Sequence, residues 1–175
     1  VPAQYTDQWA SLRRLHVQSP AEVSRAYSVS NRPEDTAAGR LVFNIRLALP
    51  PPSVADAPPG IVSSWLFSLT EGDLVSVAGP FGTFRAQDTE REMVLIGGGV
   101  GMAPLRAMIF EQLEQRGSTR KMSFWYGARS EIELFYAAEF DALEAEHENF
   151  NWTVALSDPQ PTDPRGAPTG IVPSV

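Results

Sequence analysis

"MVLIGGGVGMAP", residues 93–104, carries an apolar run straight into glycines at 97, 98, 99 and 101 and stops at a proline. Such a stretch could be a membrane span, a tight turn or a phosphate cradle. A span fails, because residues 93–110 hold those glycines together with Pro104 and Arg106. The apolar part falls well short of the roughly 20 residues a helix needs to cross a bilayer. A bare turn needs fewer glycines than this one has. Glycine at these positions admits positive φ and lets a ligand reach the backbone without meeting a Cβ. The N–H groups of a following helix then form an anion site, so the reading favoured is phosphate binding.

The flanking sequence supports it. "EMVLIG" is a continuous apolar strand, and "PLRAMIFEQLEQRG" predicts a helix opened by Pro104 and closed by Gly117. "KMSFWYG" is a second strand, residues 131–147 predict a helix with Leu134, Phe135, Ala138 and Leu143 inward, and "NWTVALS" is a third strand. Strand–helix–strand–helix–strand implies a parallel sheet with helical crossovers.

Before residue 88 the style differs. Residues 1–23 show no period and read as loop. "SRAYSVS" (24–30) and "RLVFNIRLAL" (40–49) predict strands, joined by a turn at "NRPEDTAAG". "PPPSVADAPP" (50–59) has five prolines and predicts an exposed loop. "IVSSWLFSL" (61–69) has helical spacing, and "LVSVAGPFGTF" predicts a strand ending in a Gly-Pro corner. Two modules follow, 1–88 and 89–175.

Composition narrows the function. The chain has 175 residues, 43% of them hydrophobic, and a net charge of −7, which speaks against nucleic acid as a partner. With no cysteine, thiolate metal sites and iron–sulfur clusters are excluded from these residues. His16 and His147 stand far apart and read as surface residues, so no metal site is expected. The tryptophans at 9, 65, 125 and 152 read as packing residues, and the run "EFDALEAEHE" (139–148) as a solvated helix face. No signal peptide is read at the start of these residues, and the abrupt ends suggest a segment of a longer protein.

The glycine motif is not the usual dinucleotide fingerprint. Pro104 stands where a third glycine belongs, and the second strand ends in "YGARS" (126–130) with no ribose-binding acid. A plain dehydrogenase is thereby demoted. "RAYS" (25–28), "GIVS" (60–63), "GPFG" (79–82), "GGGVGMAP" and "YGARS…LFYAAEF" occur in the order found in ferredoxin–NADP reductase-like flavoproteins, which the chain resembles. More narrowly, "RKMSFWYGARS", "GGGVGMAPLR" and "NFNWTVALSDPQP" resemble the F-subunit family of sodium-translocating NADH:quinone oxidoreductases.

The resemblance implies an antiparallel FAD-binding β-barrel, here partial, followed by a partial parallel-sheet α/β domain that binds NADH. It implies that Arg25 neutralises the FAD pyrophosphate and that Ala26 beside it belongs to the FAD-binding set. Tyr27 would lie against the isoalloxazine and Ser28 would bond flavin N5, the two residues nearest the chemistry. Asn44 and Arg46 would line the cofactor, and Gly60, Ile61, Val62 and Ser63 would donate to its pyrophosphate. For NADH it implies Gly98, Gly99, Gly101, Met102, Ala103, Pro104, Gly127, Arg129, Ser157 and Asp158. Where NADPH-using relatives follow the third strand with serine and a basic residue, this sequence has Ser157-Asp158, and a carboxylate would repel a 2′-phosphate.

The family's [2Fe-2S] cluster, ferredoxin-like segment and membrane helix are expected in the parent protein and not in these residues. So are the first barrel strands, the last strands of the nucleotide domain and a Cys-Gly-Pro loop. The resemblance further implies partner subunits in a membrane-bound complex, with this segment on the cytoplasmic face of a bacterial inner membrane and not inserted itself. Two alternatives stay open: the reductase component of an oxygenase, and a flavin-binding module without turnover. Quinone type and sodium coupling are not readable from these residues.

Overall fold

A computed structural model describes residues 17–49, 53, 58–161 and 163. Trp9, His16, most of the proline-rich loop and the C-terminal "GIVPSV" lie outside them. The expectations stated for those residues therefore lie outside the described part of the chain.

Three strands, β1 (Met93–Gly98), β2 (Met122–Ala128) and β3 (Phe150–Leu156), form a parallel sheet in the order β1-β2-β3. Register places Leu95 beside Phe124 and Phe124 beside Trp152, so one face carries a continuous buried row. Both crossover helices feed the same core: Met102, Leu105, Ile109 and Leu113 from the first, Phe140 and Leu143 from the second. Consecutive right-handed crossovers in a sheet that grows in one direction require this common face. Phe140 is at its centre, 5.0 Å from Phe124 and 5.4 Å from Trp152 between ring centroids. The opposite face leaves Val94, Ile96 and Trp125 exposed.

The first crossover begins as a tight turn over Gly99–Met102 and becomes helix α3 at Ala103–Phe110; a wider π turn, Glu111–Gln115, completes it. Gly117, at φ +57°, ends it, as a left-handed C-terminal glycine does. Before the sheet, helix α1 is Pro33–Ala37 and helix α2 is Ile61–Ser68. In the second crossover a short turn at Glu131–Glu133 precedes helix α4, Ala137–Glu146.

Several expectations need correction. The long helix at 131–147 starts only at Ala137, and Phe135 and Ala138 are exposed; Leu143 points inward and Leu134 packs against the core as expected, and Phe140 joins them. The turn at "NRPEDTAAG" encloses α1, because Pro33 suits a first helical position and Asp35 accepts the Arg32 N–H at 3.0 Å. Trp65 and Trp125 are partly solvent-exposed, and only Trp152 of the described tryptophans packs inside. The helix of the Glu-rich run is not merely solvated: Asp141 accepts from Trp152 Nε1 and Glu144 from Trp152 N.

No barrel forms among the described residues. The strands expected at 24–30 and 40–49 meet in a single antiparallel bridge, Val29 with Phe43, backed by Ser30 N–H to Val42 O at 2.8 Å. Residues 74–84 are exposed and form no helix or strand, with a cis bond before Pro80. A strand gains stability from ladder partners on both sides, and one bridge does not make a sheet.

The contacts divide the chain into two compact units that are not consecutive halves. One holds Ile45–Gly82 with the described residues up to Tyr27; the other holds Ser28–Asn44 with the described residues from Thr83 onward.

Candidate functional site

In the sheet-bearing unit, the predicted nicotinamide residues gather at the carboxyl ends of the three strands. That is the edge where open α/β sheets bind ligands. The ladder sets Gly98 beside Gly127 and Gly127 beside Ala155, a row of small residues. The Ser157 N–H donates to Ala128 O at 3.0 Å and the Asp158 N–H to Arg129 O at 2.8 Å, which joins the ends of β2 and β3.

The glycines have separate duties. A Cβ on Gly97 would lie 2.6 Å from Leu105 Cδ1, so this glycine permits strand–helix packing. Gly99 takes φ +51°, the left-handed region that other residues enter at a cost. A Cβ on Gly99 or Gly101 would meet nothing within 4 Å, so the backbone there is bare and open to a ligand. Met102 and Ala103 are buried, which leaves only their main chain to offer. Pro104 is in the first turn, where its missing N–H costs no hydrogen bond.

One residue of this site escaped the sequence. Tyr126, fully buried, donates its hydroxyl to Gly99 O at 3.4 Å and accepts the Phe135 N–H at 3.1 Å. Burial pushes its phenol up to about 12, so it stays protonated. As an apolar-strand aromatic it carried no signal beyond packing.

Arg129 is exposed, but its guanidinium is spent on Glu133, with Nε to Oε2 at 3.1 Å and a second, shorter contact from Nη2 to Oε1. That pairing, with Asp158 adding to it, raises the arginine pKa further. The positive charge competing with Asp158 is therefore largely neutralised. Asp158 and Ser157 are both exposed.

In the other unit, Gly60 caps α2. Its N–H donates to Ala48 O at 2.8 Å, Ala48 N–H donates to Ser63 Oγ at 3.1 Å, and that hydroxyl donates to Gly60 O at 3.2 Å. A Cβ on Gly60 would lie 2.7 Å from Ala48 Cβ, so only glycine fits. Ser63 thus spends its hydroxyl on the backbone, and what the first turn offers an anion is the N–H groups of Ile61, Val62 and Ser63. Arg25 and Arg46 are exposed, and neither has an acidic partner among the described residues; Arg25 donates only to Ser24 O, at 2.8 Å. A helix N-terminus and two uncommitted arginines suit a diphosphate. Ala26 is exposed and Tyr27 half-buried.

The "RAYS" motif is divided between the units: Arg25, Ala26 and Tyr27 belong to one, Ser28 to the other. Asn44 accompanies Ser28, donating Nδ2 to Tyr136 Oη at 3.1 Å while its buried Oδ1 has no partner. Among the described residues no helix is long and apolar enough to cross a membrane.

Residues 11–86 match the oxidoreductase FAD-binding domain family and residues 95–172 the oxidoreductase NAD-binding domain family. Relatives named as the F subunit of Na(+)-translocating NADH-quinone reductase are similar along the whole chain, 52% identical in Yersinia pseudotuberculosis and 49% in Pasteurella multocida. The chain spans 43% of the length of these relatives. Among solved structures, the cytochrome b5 reductase domain of Ulva prolifera nitrate reductase superposes with a TM-score of 0.70 at 20% identity, covering 89% of this chain and 62% of that one. The ferredoxin-NADP+ reductase of Plasmodium falciparum gives 0.67 at 18%, over 83% and 57%. Amycolatopsis cytochrome P450 reductase GcoB gives 0.60 at 28%, over 89% and 44%. Over its whole length the chain is a homologue of relatives named as the F subunit of Na(+)-translocating NADH-quinone reductase, and it has a ferredoxin–NADP reductase-like fold with a FAD-binding and a NAD-binding oxidoreductase domain.

Proposed function

We propose that this chain is the flavin- and nicotinamide-binding part of an NADH dehydrogenase subunit, with FAD held by residues 1–88 and NADH by residues 89–175. The observation that carries the reading is the convergence of the glycine turn, Gly127–Arg129 and Ser157–Asp158 on one edge of the parallel sheet. FAD, when bound, supplies the acceptor for a hydride from nicotinamide C4 and can release the two electrons one at a time.

The protein's part is binding and orientation. Arg25 and Arg46 offset diphosphate charge, and the first-turn N–H groups of α2 donate to it. Tyr27 packs against the flavin, while Ser28 and Asn44 supply polar contacts to it. The backbone from Gly98 to Gly101 and the start of α3 receive the nicotinamide cofactor's phosphates. Asp158 accepts hydrogen bonds from a free ribose diol and repels a 2′-phosphate. Met102 and Ala103 act through their main chain.

Electron transfer to quinone, sodium coupling and partner subunits are proposed from the names of the relatives, and an iron–sulfur cluster as intermediate acceptor and a cytoplasmic-face location from the sequence resemblance alone. The likeness to GcoB at 28% identity favours a second reading, the reductase of an oxygenase, which has the same donor and a different acceptor. Anaerobic addition of NADH and then NADPH to the FAD-loaded, full-length protein tests the first step. Bleaching of the flavin by NADH alone is expected. Bound flavin that neither nucleotide reduces would leave only a binding module. Subsequent turnover with a quinone, rather than with an oxygenase, separates the two enzymes.

A further inference from the structure

Arg106 is the most buried charge of the described chain and no part of the nicotinamide set uses it; its side chain is 3% exposed. It lies one turn beyond the glycines, in α3. Its guanidinium forks onto Glu139 of α4, Nε to Oε2 at 2.8 Å and Nη2 to Oε1 at 3.0 Å, and Nη1 donates to the Ser30 carbonyl. Its plane lies over the Tyr136 ring, 4.1 Å from the centroid, with the Phe110 ring 5.1 Å away. Tyr136 is the only described non-glycine residue with positive φ, at 60°, a conformation held only where the surroundings impose it. Its hydroxyl accepts from Asn44 Nδ2.

Arg106 and Tyr136 therefore hold both sides of one hairpin. Ser30 is two residues beyond Ser28, and Asn44 stands on the returning segment next to Phe43 of the Val29–Phe43 bridge. The hairpin groups with the sheet rather than with the remainder of "RAYS", and these side chains link the two. A forked, planar cation suits such a junction, because it can satisfy a carboxylate, a carbonyl and an aromatic face at once.

We propose that Arg106 and Tyr136 are positioning residues that fix Ser28 and Asn44 relative to the glycine turn, and thereby set the geometry of hydride transfer without touching either cofactor. The inference rests on the proposed flavin and NADH reading. It differs from a purely structural role in its consequence: small misplacement of reacting groups slows chemistry far more than it weakens binding.

The test uses the full-length, FAD-loaded protein and two mild variants, Tyr136→Phe, which keeps the ring under Arg106 and removes only the hydroxyl, and Arg106→Lys, which keeps the charge and loses the fork. Anaerobic rapid mixing with NADH gives the limiting rate of flavin bleaching and the NADH concentration at half-saturation. Tyr136→Phe is expected to slow the limiting rate about tenfold while half-saturation and flavin content stay within about twofold of wild type. Hydrogen exchange of the amides of 28–31 and 42–44 should quicken in Arg106→Lys while the sheet amides stay protected. A wild-type limiting rate in both variants overturns the inference, as does a loss that follows flavin release or global unfolding. Wild-type protein whose flavin NADH fails to bleach overturns the underlying reading instead, and the exchange experiment still reports whether the hairpin is tied.

Discussion

The hydroxyl of Tyr126, on the middle strand, lies 3.4 Å from the carbonyl oxygen of Gly99, on the turn that ends the neighbouring strand. A buried phenol thus braces a backbone that would otherwise be free to take several shapes, and the same oxygen accepts the Phe135 N–H on the other side. Tyr126→Phe leaves both groups without their partner. The expected cost is about 1–2 kcal/mol of stability, measured by denaturant melting, with a several-fold weaker NADH interaction. In a spectrophotometric titration the wild-type phenol should ionise near pH 12, well above an ordinary tyrosine. Because the folded pKa is raised, this group's contribution to stability is complete below pH ~10 and fades as the pH rises through the folded value.

Gly97 and Gly101 separate packing from binding. Gly97→Ala drives a methyl to within 2.6 Å of Leu105 Cδ1 in a close-packed core, and about 1–3 kcal/mol of destabilisation is expected. Gly101→Ala meets nothing within 4 Å and the glycine has no positive φ, so the melting temperature should hardly move. NADH half-saturation should nevertheless rise by about tenfold or more, because the methyl occupies the approach to the bare backbone. Equal effects of the two substitutions on binding would contradict the assignment of the turn.

In the proposed nucleotide site, Asp158 and the Arg129–Glu133 pair would set the charge at the ribose end. Asp158→Ser removes the repulsion, and the ratio of NADPH to NADH efficiency should rise about tenfold, or ~1.4 kcal/mol. Adding Glu133→Gln releases Arg129 from its partner and should raise the ratio again. Steady-state kcat/KM with both nucleotides checks each step, and an unchanged ratio in the double variant would remove these residues from nucleotide selection.

At the start of α1, the Arg32 N–H and then the Arg40 guanidinium, 2.9 Å away, hold the Asp35 carboxyl below the ordinary aspartate range. A lowered folded pKa means that the stabilisation is present above the unfolded value of about 4 and is lost as the pH falls through the folded value. Wild type should lose stability on acidification in that window, and Asp35→Asn should flatten this part of the profile. Melting curves from neutral pH down to acid, compared between the two, measure the difference.

The parallel sheet was legible because period and punctuation are local. Apolar runs at 92–97, 121–127 and 151–157, each within a residue of the observed strand, Pro104 at a helix start and Gly117 at its end each act through their own few residues. The glycine turn was legible for the same reason, and with it the strand ends at which the nucleotide is proposed to bind. The first half was read less well. Its expected strands depend on neighbours for ladder bonds, and alternation alone could not say that 24–30 and 40–49 would meet in one bridge.

The sequence by itself determined the alternation of strands and helices in the parallel-sheet half and the presence of a FAD-binding and a NAD-binding domain. Tertiary structure alone decided which side chains their motifs lean on. Arg106 and Glu139 are 33 residues apart, Asn44 and Tyr136 are 92 apart, and none of the four has a local pattern that announces a partner. The physical reason is that buried charges and polar groups take their partners from whatever the packed helices bring within hydrogen-bond distance, and that proximity exists only once the chain has folded.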